Sequence, residues 1–211
     1  MNTTQTIVLA SGNAGKLREF NDLLAGLGFN VKPQSDYQVP EAIEDGLTFV
    51  ENAIIKARNA CKHSGLPSIS DDSGIEVDAL KGAPGIYSAR YSGVNATDQN
   101  NNAALLEALK EIPAHERTAR YQCVLVFMQH ALDPTPIICQ GSWEGTILTQ
   151  PQGDGGFGYD PIFWVPSHNV ASAQLSKVEK SKISHRAKAL TELVQKLKTT
   201  CHYPTKLTNL T

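Results

Sequence analysis

The sequence predicts an α/β fold, and three observations carry that expectation. Thr6 to Ala10 is a short apolar strand that runs through a glycine-bearing turn into an amphipathic helix. Thr48-Phe49-Val50-Glu51 is a capping box, which fixes the start of a second helix. Ala119 to Met128 and Ile137 to Trp143 read as long strands, and the Asp133-Pro134-Thr135-Pro136 connection predicts an antiparallel hairpin. At 211 residues the chain is expected to be one domain, 1–211, with its core over about 7–197.

The first helix is entered through Ser11-Gly12-Asn13-Ala14-Gly15-Lys16 and is expected to place Leu17, Phe20, Leu23, Leu24 and Leu27 on one face, with Gly28 as its stop. Strand, glycine turn and helix together aim backbone N–H groups at an anion, and Lys16 adds a full positive charge. A plain helix N-terminus is the competing reading. The stretch is no Walker A loop: its glycines are too close, and Leu17 stands where Ser or Thr would bind Mg²⁺. Asn30 to Lys32 offers a second short strand, then a polar loop in which Glu41, Glu44 and Asp45 cluster ahead of the second helix. That helix carries Phe49, Ala53, Ala57 and Cys61 at helical spacing and stops at Gly65-Leu66-Pro67. Lys56 shares a face with Asn52; it reads either as a ligand-facing cation or as a solvated surface lysine. Glu44 reads either as a ligand or as a favourable charge near the positive helix end.

Ser70-Asp71-Asp72-Ser73-Gly74 is the stretch around which the chain is organised. It follows a short apolar run, Leu66 to Ile69, and precedes another, Ile75-Glu76-Val77, so the acids are expected in a turn at a strand end. Carboxylates so placed serve as oxygen ligands for Mg²⁺ or as a base for water. A polar turn held by local hydrogen bonds is the alternative. Lys81 to Gly93, with three glycines and a proline, reads as a loop whose Tyr87, Arg90 and Tyr91 are candidates to touch a ligand or a second subunit. Thr97-Asp98 caps a helix with Leu105, Leu106, Leu109 and Ile112 facing inwards.

Beyond the hairpin, Glu144-Gly145 is expected to turn the chain into a separate short strand, Thr146-Ile147-Leu148. Gln150 to Asp160 is rich in glycine, which permits close backbone approach to a flat ligand. Phe157, between glycines, reads as a stacking platform for a base. Ile162 to Val165 returns to the sheet. Ser176 to Arg186 is a basic segment with a histidine, read either as ligand-binding or as a solvated face. It leads into a last helix through Ala187, Leu190, Val194 and Leu197. The tail from Thr199 reads as irregular.

Bulk properties exclude several classes. Net charge is −2, so no overall field recruits nucleic acid or an anionic membrane. Cys61, Cys123, Cys139 and Cys201 are widely spaced, which supports neither a zinc site nor a disulfide scaffold; they are expected to be inert thiols. The first residues lack a basic region followed by a long apolar run, so no signal peptide is read, and no apolar run is long enough for a membrane helix. The expected location is cytoplasmic.

A triphosphate with a metal needs N–H groups and lysines for phosphate, carboxylates for the metal, and a pocket for the base. Each occurs here in a separate stretch, with water as the nucleophile. In order, Ser11 to Lys16, Thr48 to Ala53, Ser70 to Gly74, Gly82 to Tyr91, Gly156 to Pro161 and Ser184 to Arg186 resemble the inosine triphosphate pyrophosphatase family, specifically its RdgB-type dITP/XTP pyrophosphatases. The likeness runs from about Ile7 to Leu197. It implies an elongated mixed β-sheet flanked by helices, with the active site in a central cleft. It further implies Mg²⁺, a homodimer, and cleavage of ITP, dITP and XTP to monophosphate and pyrophosphate.

By that resemblance Ser11, Gly12, Asn13, Ala14, Gly15, Lys16 and Lys56 hold the triphosphate, and Glu44 and Asp72 bind Mg²⁺. Asp72 also takes the proton of the attacking water, with Asp71 beside it and Ser73 touching substrate. Phe157 stacks on the purine, Gly158 and Tyr159 beside it also bind substrate, and Asp160, Lys180, His185 and Arg186 line its polar edge. Two competing classes remain: a nucleotide-sensing module, against which both aspartates and Lys56 argue, and another enzyme. Of the latter, a P-loop kinase lacks its loop, and the Gly156 to Asp160 stretch favours a purine over the Maf-type pyrophosphatases.

Overall fold

The computed structural model describes residues 4–200; the first residues and the tail from Cys201 lie outside the described residues, while Thr199 and Thr200, expected to be irregular, still belong to the last helix. Strands β1 (Gln5–Leu9), β2 (Phe29–Pro33), β3 (Ser68–Val77), β4 (Thr118–Met128), β5 (Ile137–Ile147), β6 (Phe163–Val165) and β7 (Val170–Ala171) form one sheet in the order β2-β1-β3-β4-β5-β6-β7. β1 pairs parallel with β2 and β3, and every later pairing is antiparallel. The sheet is therefore mixed, as expected. Helices α1 (Ala14–Leu24), α2 (Phe49–Ser64), α3 (Asp98–Ala108), α4 (Lys177–Ile183) and α5 (His185–Thr200) flank it.

Side chains on a strand alternate between the two faces, and here each face meets different helices. Ile69, Cys123, Leu125 and Cys139 pack with Phe20 and Leu24 of α1 and Leu190, Leu193 and Leu197 of α5. Val124, Val126 and Met128 pack with Ala53, Ala57 and Cys61 of α2. Beyond these, Leu105 and Leu109 join Ile75, Tyr121, Trp143 and Phe163 in a separate cluster at the far end of the sheet. Cys61, Cys123 and Cys139 are buried free thiols. No helix among the described residues is long and apolar enough to cross a membrane.

Helix ends follow the sequence closely. Thr48 Oγ1 accepts from the Glu51 N–H at 3.2 Å, while the Glu51 carboxylate reaches back to the Leu47 N–H at 2.9 Å and the Thr48 hydroxyl at 2.8 Å. Gly65 closes α2 in the left-handed conformation. Gly28 does the same after a single 3₁₀ turn, 25–27, that follows α1. Leu23 departs from its expected inward face and is exposed, because the stripe centred on Phe20 and Leu24 already covers the sheet.

Three larger expectations need correction. Asp71 and Asp72 are not in a turn between two strands: β3 is one continuous strand, and the acids pair in register with Leu125 and Val124 of β4. Glu144-Gly145 is likewise no turn, for β5 runs through it. Glu144 faces Arg120 across the ladder, and at Gly145 a Cβ would strike the Trp164 carbonyl and the Phe163 ring, so only glycine lets β6 approach. Finally, the basic segment before the last helix is itself helical: Ser176 and Glu179 form a capping box that starts α4, and Ser184 separates it from α5. At Gly141 of β5 the first turn of α5 sits so close that a Cβ would strike the His185 carbonyl and lie 2.8 Å from the Ala189 nitrogen.

Candidate active site

β1 stops at Leu9, whereas β3 continues to Val77, and its free edge beyond Ile69 opens onto a cleft. A space of ≈ 240 Å³ there is lined by Ser11, Gly12 and Lys16 from the first turn, Glu41 and Glu44 from the loop before α2, Lys56 of α2, and Asp71. Ala10 still donates to the Ile69 carbonyl at 2.8 Å, which fixes the turn against the strand end. Gln34 and Ala42 also line the cleft, and nothing in their sequence context marked them.

Because β3 is a strand, its two acids leave opposite faces. Asp71 has a fully buried carboxylate. It accepts from Lys16 Nζ at 2.6 Å and Ser73 Oγ at 2.8 Å on one oxygen, and from Arg186 Nε at 2.7 Å on the other. Burial opposes its charge, but Lys16 and Arg186 prevail and hold the carboxyl well below the usual carboxylate range. The Cys123 thiol lies 3.9 Å from the same carboxylate, and burial pushes that thiol up. Burial raises the pKa of Glu19, one turn beyond Lys16, against the pull of Arg186; nothing in its sequence context marked it.

Asp72 turns towards α2, where Ser68 and Ser70 on the same face donate to the Ala57 and Ala53 carbonyls. Lys56 Nζ donates to Asp72 Oδ1 at 2.6 Å and stands 3.4 Å from Glu44 Oε2. Burial raises the Asp72 pKa, with the Lys56 ammonium opposing. Two carboxylates thus share one cation at the cleft wall. Asn52, on the same helix face as Lys56, accepts from the Gly46 N–H at 2.9 Å and so ties down the loop that carries Glu44.

The start of α1 is more self-contained than the glycine turn implied. Asn13 Oδ1 takes the N–H groups of Gly15 and Lys16, and Ser11 Oγ takes that of Asn13. The exposed Gly12 and Ala14 lie between them.

A second group of expected residues assembles along the glycine-rich loop. The Phe157 ring is 58% exposed, and Lys180 Nζ lies 4.7 Å from its centroid. Asp160 is buried and fully engaged: it accepts from the Phe157 N–H at 2.9 Å, Ser172 Oγ at 2.9 Å, Tyr121 OH at 3.3 Å, and closely from Lys180. Its carboxylate therefore positions Lys180 and the loop rather than offering itself to a ligand edge. Tyr159 is buried, with its hydroxyl on the Ser88 carbonyl at 2.7 Å.

His185 and Arg186 open α5 from inside the protein, not on a solvated face. The His185 ring stacks on Tyr121 at 4.7 Å between centroids, with Trp143 beyond it, and its Nδ1 has no hydrogen-bond partner. Burial, with Arg186 beside it, pushes its pKa down to about 3, so the imidazole is neutral. Through His185 and Arg186, α5 joins the Asp71 cleft to the Tyr121–Asp160–Lys180 group.

A family model described as the Ham1 family matches residues 7–196. The dITP/XTP pyrophosphatase of Vibrio cholerae serotype O1 is 62% identical over 187 residues, covering 89% of this chain and 94% of that protein. That of Photobacterium profundum is 59% identical over 192 residues, 91% and 98% of the two chains. A solved Ham1 protein from Coxiella burnetii superposes with a TM-score of 0.89 at 49% identity, over 92% of this chain and 99% of that one.

Proposed function

The chain belongs to the Ham1 family, and on that premise we propose that it hydrolyses the non-standard purine nucleotides ITP, dITP and XTP to monophosphate and pyrophosphate. The observation that carries this reading is the convergence of Lys16, Lys56, Glu44 and Asp71 on one cleft at the free edge of β3, with Asp72 bound to Lys56 at its wall. Lys16 and Lys56, with the Ser11 hydroxyl and the Gly12 to Gly15 turn, hold the triphosphate; Ser73 touches it from β3. Asp72 accepts the proton of the attacking water. Asp71 does different work: it keeps Lys16 and Arg186 in place. Phe157 stacks on the purine, the Gly158-Tyr159 backbone shapes its loop, and Lys180, His185 and Arg186 meet the 6-oxo edge, with Asp160 holding Lys180.

The donor set fits a hard divalent cation. Glu44 and Asp72 already enclose a positive charge, the Lys56 ammonium, and both offer only oxygen. Carboxylate oxygens are the ligands of Mg²⁺, an ion that keeps several waters and takes few protein ligands. When bound it neutralises phosphate charge and makes water more acidic.

The same reading takes the chain as one catalytic domain, a homodimer working in the cytoplasm, without nucleic-acid or membrane partners. The test is a nucleotide panel with separate detection of pyrophosphate and phosphate. ITP, dITP and XTP are expected to release pyrophosphate much faster than ATP. Release of phosphate alone, or equal rates on ATP, overturns the reading.

A further inference from the structure

Helix α3 lies away from the cleft and takes no part in the chemistry proposed above, yet its polar residues do more than cap it. Thr97 is the N-cap, with its side chain accepting from the Asn100 N–H, so Asp98 in the first turn is free for another task. Asp98 Oδ2 accepts from the Gly158 N–H at 2.6 Å, and Asn102, one turn on, donates from Nδ2 to the Gly158 carbonyl at 2.9 Å. Both backbone groups of a single loop residue are thus held by one helix face, because positions four apart lie above one another. Gly158 is in the left-handed region, with φ +61°, and directly follows Phe157.

The burial of Asn102 makes the grip more than incidental. Its side chain is buried and its Oδ1 has no hydrogen-bond partner. A buried amide with half its capacity unmet works against folding, and an apolar residue would serve the core better. The preceding residue extends the same frame: Asn101 accepts from the Ser92 N–H at 2.8 Å and donates to the Ser88 and Ala89 carbonyls. Three polar residues on one helix thereby lock two loops to each other. On the other side, Asp160 takes the Phe157 N–H, and Lys180 lies over the ring.

The geometry points to Asp98 and Asn102 as positioning residues that hold the Gly158 backbone, and through it the Phe157 ring, in the orientation that stacks on the purine. This rests on the reading of Phe157 as the base platform. The ring is mostly exposed and has little packing of its own, so the clamp on the next residue sets where it stands. Asp98 makes the stronger contact, since a hydrogen bond to a charged acceptor exceeds a neutral one.

The experiment is a set of single and double variants assayed for KM and kcat on ITP. Asp98→Ala is expected to raise KM about ten-fold, the worth of one charge-assisted hydrogen bond, with kcat changed far less. Asp98→Asn keeps an acceptor for the Gly158 N–H and is expected to restore most of the KM. In a Phe157→Ala background Asp98→Ala is expected to add nothing, because the ring it positions is gone. Amide hydrogen exchange at Gly158 is expected to quicken in Asp98→Ala and in Asn102→Leu, a variant that keeps the buried volume. An equal KM penalty with and without Phe157 overturns the inference, as does unchanged exchange at Gly158. If Phe157→Ala alone leaves KM unchanged, the platform reading fails first and takes this inference with it. Absence of any ITP hydrolysis in the unmodified enzyme instead removes the proposed function.

Discussion

Arg186 Nε stands 2.7 Å from Asp71 Oδ2, so the first turn of α5 is tied to the middle of β3 through a carboxylate with no exposed surface. Lys16 reaches the other oxygen from α1. Asp72, the next residue, points through the opposite face of the sheet to Lys56. Adjacent acids therefore have separate partners, one joining three elements and the other paired with Lys56 of α2.

Asp71→Asn is expected to destabilise the fold by ~3–5 kcal/mol, the usual effect of breaking a buried ion pair from one side. Both cations lose their counter-charge while the side-chain volume is kept. Urea unfolding of the variant measures it. A change below about 1 kcal/mol, the range of an exposed pair, means that Lys16 and Arg186 find other partners.

Asp72→Asn should leave stability nearly intact and lower turnover on ITP by ~10²–10⁴-fold, the contribution of a general base. Triphosphate affinity should survive better, since Lys16 remains. Retention of more than about a tenth of the turnover assigns the proton acceptor to another group.

Removal of divalent cations with a chelator is expected to abolish pyrophosphate release, and added Mg²⁺ to restore it. Glu44→Gln should raise the Mg²⁺ concentration needed for half-maximal rate, leaving the rate at saturating Mg²⁺ less affected. Full activity in excess chelator eliminates the metal from the mechanism.

His185 predicts a pH dependence of stability. Its pKa falls from 6.5 when unfolded to about 3 when folded. Between those values the unfolded chain binds a proton that the native protein refuses, so its contribution weakens the fold as pH drops from about 6.5 towards 3. His185→Phe keeps a ring against Tyr121 and should flatten that part of the curve. Urea unfolding at several pH values compares the two; identical slopes would mean that the imidazole titrates normally.

Much of the fold was readable because local rules set it: the Thr48 cap, the Gly65 stop and the apolar run of β4 depend on near neighbours. The errors share one cause. The buried Asp71 is tolerable inside β3 only because Lys16 and Arg186, 55 and 115 residues away in sequence, meet it in space. A local reading sees Ser-Asp-Asp-Ser-Gly and expects a turn. Likewise Gly145 looks like a turn residue until β6 is laid against it, and the choice between a ligand-binding and a solvated place for His185 and Arg186 stays open until Tyr121 and Asp71 are placed beside them. Asp98 and Asn102 carried no signal beyond helix capping, since their partner is the backbone of Gly158 and leaves no side-chain trace.

Gly141 itself has no part in holding the nucleotide, yet tolerance to substitution there follows the active site. Any side chain meets the backbone of His185 and Ala189, which no rotamer change can move aside. Relief requires lifting the first turn of α5, and that turn carries both the ring against Tyr121 and the guanidinium on Asp71. Gly141→Ala should thus lose activity before it loses folding. In a mutational scan of this scaffold, position 141 would group with the cleft residues although it lies two strands away from β3.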